Sequence, residues 1–258
     1  FGGIEAVRDF VELADEAFFV GYSLAALSDS SFDSEFLPEE LEAADRRMQQ
    51  FLQGYVRGKF RNDRLQWIEK LPLNTWSRSE IGKFFALLPF TSEIWGEVDK
   101  LLGNSDSEYW TSVNPNPFEA SDGMSLAIDK LIENNRPILA LACLNKGIHE
   151  KIHFNVKQAE RALLALLRNK ELHEAANRHD VLNVIKALQQ SPDADPEVVT
   201  KIEWQFLPLI DRDLNGSPKL LEHKLASSPE FFCEIVGLCY RSKNEVQEER
   251  RELTREEE

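Results

Sequence analysis

Nowhere in its 258 residues does this sequence hold an apolar run approaching the roughly 20 residues that span a bilayer. No secretory signal precedes the first charged residues, so neither a membrane span nor export is expected. Cysteine is scarce. Cys143, Cys233 and Cys239 are an odd set with no C-x-x-C spacing, which argues against a disulfide framework or a thiolate zinc site. Reduced thiols in a cytoplasmic protein are the expectation, each packed in an apolar helical setting. Alternating β-branched runs bounded by turns are nearly absent, which removes sheet architectures. There is no G-x-x-x-x-G-K-[S/T] phosphate loop and no G-x-S-x-G nucleophile turn. No strict repeat period emerges either, so a regular 34-residue repeat is not supported.

Basic charge is also short: 30 Lys and Arg stand against 45 Asp and Glu, a net of −15. Wholesale binding of nucleic-acid phosphates is therefore not expected. Residues 1–53 hold twelve acids and three bases, whereas 54–64 (GYVRGKFRNDR) carry Arg57, Lys59, Arg61 and Arg64 against Asp63. With Tyr55, Phe60 and Trp67 interleaved, that stretch could form a nucleic-acid groove. The plainer reading is a cationic helix end that answers the acidic first segment.

Helical periodicity fills most of the chain. Met124, Ala127, Ile128 and Leu131 make one stripe; Val156, Ala159, Leu163, Leu166 and Leu167 a second; Val181, Val184, Ile185 and Leu188 a third. Val198, Ile202, Phe206 and Leu209 follow, then Phe232, Ile235, Val236 and Cys239, with Glu234 expected to face water. Asp195-Pro196, Ser217-Pro218 and Ser228-Pro229 read as caps before a first-turn proline, and Asn155 and Asp180 as further caps. Gly147, Asn215-Gly216 and Asn114-Pro115-Asn116-Pro117 read as stops. Ile138–Leu144 is apolar all round and should be covered on both sides. The expected architecture is all-α: about 12–14 helices in an array of antiparallel hairpins, α-solenoid-like. One helical domain over 1–243 is expected, with a sub-boundary near 104–121. Residues 244–258 (NEVQEERRELTREEE) read as a charged tail or a linker helix cut short.

The stretch KLIENNRPILALACL (130–144) resembles the helical-hairpin joint of tetratricopeptide-like repeats, where a loop residue precedes Arg-Pro and an Ala/Leu helix. Residues 202–242 resemble the helical C-terminal regions of large multidomain bacterial proteins, some similar to NTPases of antiviral-defence type. Together these stretches cover under a quarter of the chain, and their motifs are packing motifs. The resemblance implies a degenerate helical repeat and a setting in phage defence, with any nucleotide-driven engine outside 1–258. The opening Phe1-Gly2-Gly3, without Met, fits a piece of something longer.

One motif points to chemistry. His149-Glu150-Lys151-Ile152-His153 fits H-E-x-x-H, in which two histidines one helical turn apart hold zinc and the glutamate activates water. Gly147 and Asn155 bracket it with a helix stop and a helix start, so it is expected at a loop. Val156 and Ala159 occupy the places where the extended motif has glycine and a third histidine. Glu171, His173, Glu174 and His179 are the remaining candidates for a third ligand. The aromatics Trp67, Trp76, Trp95, Tyr109, Trp110 and Trp204 are read as core, with a recognition groove as the alternative. Arg136 is read as a cap for helix carbonyls.

The reading that best accommodates these features is a non-catalytic protein-interaction or sensor scaffold without cofactor or metal. Its partner would be a protein or another domain of the same chain. A zinc hydrolase built on His149, Glu150 and His153 is the alternative. The helical stripes predict a far-UV circular dichroism spectrum dominated by helix; a quarter or more of strand signal would sink the all-α assignment.

Overall fold

The structure, a computed structural model, describes residues 3–28, 30–42, 45–120, 122–151, 154–211 and 216–239. Among these residues every regular element is helical, as the periodicity requires. No helix among them is long and apolar enough to cross a membrane. The chain divides into two compact units, Phe1–Phe154 and Asn155–Glu258. The Asn/Pro-rich stretch 114–117 lies inside the first.

The first unit holds α1 (Gly3–Leu13), α2 (Ala17–Leu24), α3 (Ser30–Glu40), α4 (Arg46–Asp63), α5 (Leu65–Lys70), α6 (Arg78–Ala86), α7 (Ser92–Leu102), α8 (Ser107–Ser112), α9 (Met124–Glu133) and α10 (Pro137–His149). The second holds α11 (Val156–Leu167), α12 (Lys170–Ala175), α13 (Arg178–Gln190), α14 (Pro196–Gln205), α15 (Leu207–Ile210), α16 (Lys219–Ser227) and α17 (Pro229–Cys239). The seventeen α-helices among the described residues exceed the expected 12–14 because α5, α8, α12 and α15 run only four to six residues, too short for a period to register in sequence.

The first unit is built around α4. The Asp45 carboxylate accepts from the Met48 N–H at 2.8 Å and starts the helix. Met48, Phe51, Leu52, Tyr55, Val56 and Phe60 then form its buried face. α2 crosses α4 so closely that side chains are excluded at the crossing. A Cβ on Gly21 would drive into the Phe51 carbonyl oxygen, and one on Gly54 into the Phe18 carbonyl oxygen. A Cβ on Gly58 would stand 2.7 Å from the Ala25 Cβ. Gly21 and Ala25 on one side thus face Gly54 and Gly58 on the other, small residues four apart on both helices. This spacing lets two backbones touch, as it does in membrane helix pairs.

Further along, aromatic rings fill the core. Phe36, Phe51 and Tyr55 interlock at centroid separations of 5.8–6.0 Å. Trp67 and Trp76 both meet Phe84 edge-on, and Phe90, Trp95 and Trp110 form another group. α9 and α10 pack across a three-residue joint in which Asn135 adopts φ +56. At this joint the half-buried Arg136 donates to the carbonyls of Trp110, Thr111 and Val113 at 2.5–3.2 Å, closing the C-terminal end of α8. In α10, Ala140, Leu141, Cys143 and Leu144 are buried, and burial pushes the Cys143 thiol up to about 12.

In the second unit Asn155 and Asp195 cap as expected, accepting from the N–H groups of Gln158 and Glu197. Ser217 does not cap α16 as expected: Pro218 stands at the N-cap and no side chain of its own caps the helix. Three further details differ from the sequence reading. The α13 cap is Asn177, not Asp180, which lies in the first turn. The buried face of α14 is Val199, Ile202 and Phe206, continued by Ile210; Val198 and Leu209 are half-buried. The rotation arises because Thr200 and Glu203 also point inward, each satisfied: Thr200 donates to the Pro196 carbonyl, and Glu203 accepts three bonds. Those bonds come from the Leu220 and Leu221 N–H groups at 3.3 and 2.6 Å and from Gln189 at 2.5 Å. The N-terminus of α16, which has no side-chain cap of its own, is thereby capped from α14.

The third difference concerns α17, which packs on α16. Phe232 is 53 % exposed and Val236 38 %, so the expected buried stripe is turned outward, and Cys233 is exposed rather than packed. Glu234 faces water as expected. In PEFFCEIVGLC nearly every face is apolar, so the pattern alone does not select the face that meets α16. The Cys239 side chain and the 244–258 tail lie outside the described residues.

The glycine crossing gives a sharp expectation. Gly54→Ala should cost about 1–3 kcal/mol or more through overpacking. Gly96→Ala, on the exposed side of α7 with nothing near its added methyl, should gain roughly 0.5–1 kcal/mol. Urea unfolding of the two variants distinguishes them, and equal effects would refute the close approach of α2 and α4.

Candidate functional site

Large apolar side chains are well exposed at ten described positions, and four of them, Phe10, Leu13, Phe19 and Leu27, fall within eighteen residues of one another in sequence. The concentration has a local cause. α1 is amphipathic and buries Val7 and Val11, which leaves Phe10 on its flank. α2 (AFFVGYSL) is apolar on nearly every face, yet α4 covers only the glycine side, so Phe19 is left 63 % exposed. Between α1 and α2 lies a groove of about 540 Å³. Ala6, Val7 and Phe10 form one wall; Phe19, Val20, Leu24 and Leu27 form the other, and buried Phe51 of α4 the floor. Glu16 and Ser23 are its polar lining. The volume lies within the range of ligand-sized clefts, and clustered exposed apolar side chains of this kind mark binding faces.

On the other flank of α1 a polar cavity is lined by Arg8, Glu12, Glu40, Asp45 and Arg47. Its Arg8 is already engaged: it pairs with Glu39, Glu40 and Glu5, which hold its pKa above the usual arginine value.

The four cations of 54–64 are dispersed rather than assembled into a patch. Arg57 pairs with Glu119 at 2.7 Å, and Arg64 with Glu93 at 3.2 Å. Arg61 donates to the Tyr22 hydroxyl at 2.6 Å. Lys59 is buried. It lies 3.2 Å from Asp33, which is 1 % exposed, and donates to the Ser28 carbonyl. Asp33 also accepts from the Tyr55 hydroxyl and from Trp67 Nε1. This satisfied buried cluster ties α3 to α4 and α5, and sequence reading missed it. The signal available was a lone acid at a buried helical position, which has meaning only once Lys59, Tyr55 and Trp67 are placed around it.

The H-E-x-x-H segment does not continue a helix. α10 runs through Gly147 to His149, beyond the expected stop. Glu150 is its C-cap, and Lys151 turns to φ +55. The helical continuity that would set His153 one turn from His149 is therefore broken after Glu150, and His153 itself lies outside the described residues. Glu150 pairs with Lys146. In the second unit, His173 lies against the Phe206 ring at 5.2 Å, and His179 Nε2 is 3.0 Å from the Asn183 amide. Among the described residues no three His, Cys, Asp or Glu side chains gather as a metal-binding group. Of the candidate aromatics, Trp67, Trp76, Trp95, Tyr109 and Trp110 are buried in the core; Trp204 is half-buried.

Compared with protein-family models, curated proteins and solved structures, the chain matches none of them.

Dispersal of the cations has a measurable signature at Glu119. Burial works to raise its pKa, but the Arg57 hydrogen bond, the Phe90 N–H at 2.8 Å and the Arg57 charge outweigh burial and hold it below the usual carboxylate value. A depressed carboxylate stabilises the fold above its unfolded-state pKa, and that contribution is lost as pH falls through the folded value. Glu119→Gln should therefore lower the melting temperature at pH 7, with the gap to the parent narrowing towards pH 3. A gap independent of pH would refute the ion pair.

Proposed function

We propose that this chain is a non-catalytic protein-interaction module, and that the α1–α2 groove is its docking surface. The observation that carries this reading is the groove itself: Phe10, Phe19 and Leu27 are exposed over a wall that the glycine crossing holds against α4. A rigid wall lowers the ordering cost of binding, and exposed aromatic anchors around a cleft are the usual centres of binding energy. The partner is a protein or another domain of the same polypeptide. The wider setting, a scaffold or sensor region of a large cytoplasmic bacterial protein in phage defence, is proposed on the resemblance of 130–144 and 202–242.

A photo-crosslinking residue in place of Phe19 tests the docking surface in cells. The expected result is a discrete protein adduct that is lost when Phe10→Ser is added and is absent when the same residue replaces Gln205, an exposed position in the second unit. Equal adducts from both positions, or none from either, would remove the groove from consideration.

A further inference from the structure

Resting on that reading, we infer that the groove takes a cationic amphipathic helix of a partner protein. Its apolar walls ask for an apolar face, and its charged surroundings specify the rest. Among residues 3–28 there are five acids, Glu5, Asp9, Glu12, Asp15 and Glu16, and all five are exposed. Arg8 is the single base there, and Glu5, Glu39 and Glu40 already engage it. Asp9 stands beside Phe10 on the outward side of α1. Asp15 and Glu16 occupy the turn that leads into α2, and Glu16 lines the groove. No ion pair engages Asp9, Asp15 or Glu16 among the described residues, and the Glu16 side chain makes no capping bond to α2. Three unmatched carboxylates thus lie in or next to the lining of an apolar cleft: Glu16 in the lining itself, Asp9 adjacent in the chain to Phe10, and Asp15 adjacent to Glu16.

This arrangement discriminates among occupants. A second copy would bring the same acids to the same rim, on a chain already at −15. The chain's own 244–258 segment carries seven acids and three bases and offers only Val246 and Leu253 as apolar anchors. An anionic lipid surface would meet the carboxylates as like charge. A helix with apolar side chains at i, i+3, i+4 and i+7 and Lys or Arg on its flanks satisfies both walls and rim. α1, at 11 residues, gives a wall about 16 Å long, enough for three turns of such a helix.

Three peptides of about 18 residues, five helical turns, supply the test by fluorescence anisotropy with the full chain. The first is an amphipathic Leu/Lys helix; the second has the same composition with the Leu positions scrambled; the third replaces Lys by Glu. The expected result is saturable binding of the first, about tenfold tighter than either control. Phe19→Ser or Leu27→Ser, both at exposed positions, should weaken it about tenfold without changing the helical spectrum. The triple variant Asp9→Asn, Asp15→Asn, Glu16→Gln should weaken it and flatten its dependence on salt between about 50 and 300 mM. Equal binding of the Leu/Glu peptide would overturn the charge inference and leave the groove reading intact. Equal binding of the scrambled peptide, or indifference to both Phe19→Ser and Leu27→Ser, would overturn the inference and the groove together. Competition by neutral phosphatidylcholine vesicles in place of the peptide would assign the groove to lipid and overturn the inference.

Discussion

The contact between the α2 and α4 backbones organises the first unit. Helices separated by side chains can slide and rotate within the tolerance of those side chains. Helices in backbone contact have no such slack, because Gly21, Gly54 and Gly58 leave nothing to compress. α4 is the longest described helix and buries nine of its residues, so what is fixed against it is fixed within the unit's core. α2 consumes its smallest face in that contact and turns its aromatic and aliphatic faces elsewhere. The groove is thus a by-product of where the glycines lie: the helix side that could approach closest is buried, and the side with the greatest apolar area is left to bind.

Much of the fold was legible in the sequence. Stripes at 124–131, 156–167 and 181–188 reappear as buried faces, since each is long enough to register a period. In the stripe at 198–209, Ile202 and Phe206 are buried as expected, whereas its ends move from Val198 and Leu209 to Val199 and Ile210, for an instructive reason. Hydrophobicity marks a buried face only where burial is apolar, and Thr200 and Glu203 are buried by virtue of their hydrogen bonds. At α17 the pattern was too uniformly apolar to rank one face above another.

The candidate site was harder to see. In the sequence GYVRG stands out for its charge, whereas its glycines, four apart, set the crossing. Their meaning depends on Gly21 and Ala25, about thirty residues earlier in the chain, and a single sequence does not state that pairing. Likewise Lys59 reads as one cation in a row of four until Asp33 is placed 3.2 Å away. The acids around the groove were visible only as a bulk excess in residues 1–53. Their position beside Phe10 and ahead of Phe19 turns an average charge into a directional one.

Glu203 carries an implication for how the second unit comes apart. A helix capped by its own flanking residue frays by itself: its terminal amides exchange their protons whenever the last turn opens. α16 lacks such a cap, and its first amides are held by a carboxylate belonging to α14. The Leu220 and Leu221 amides are therefore released when α14 withdraws, and α14 cannot leave without stranding them. Two helices some fifteen residues apart in sequence share a single opening event, and the timescale on which α16 exchanges its amide protons is set in part by α14.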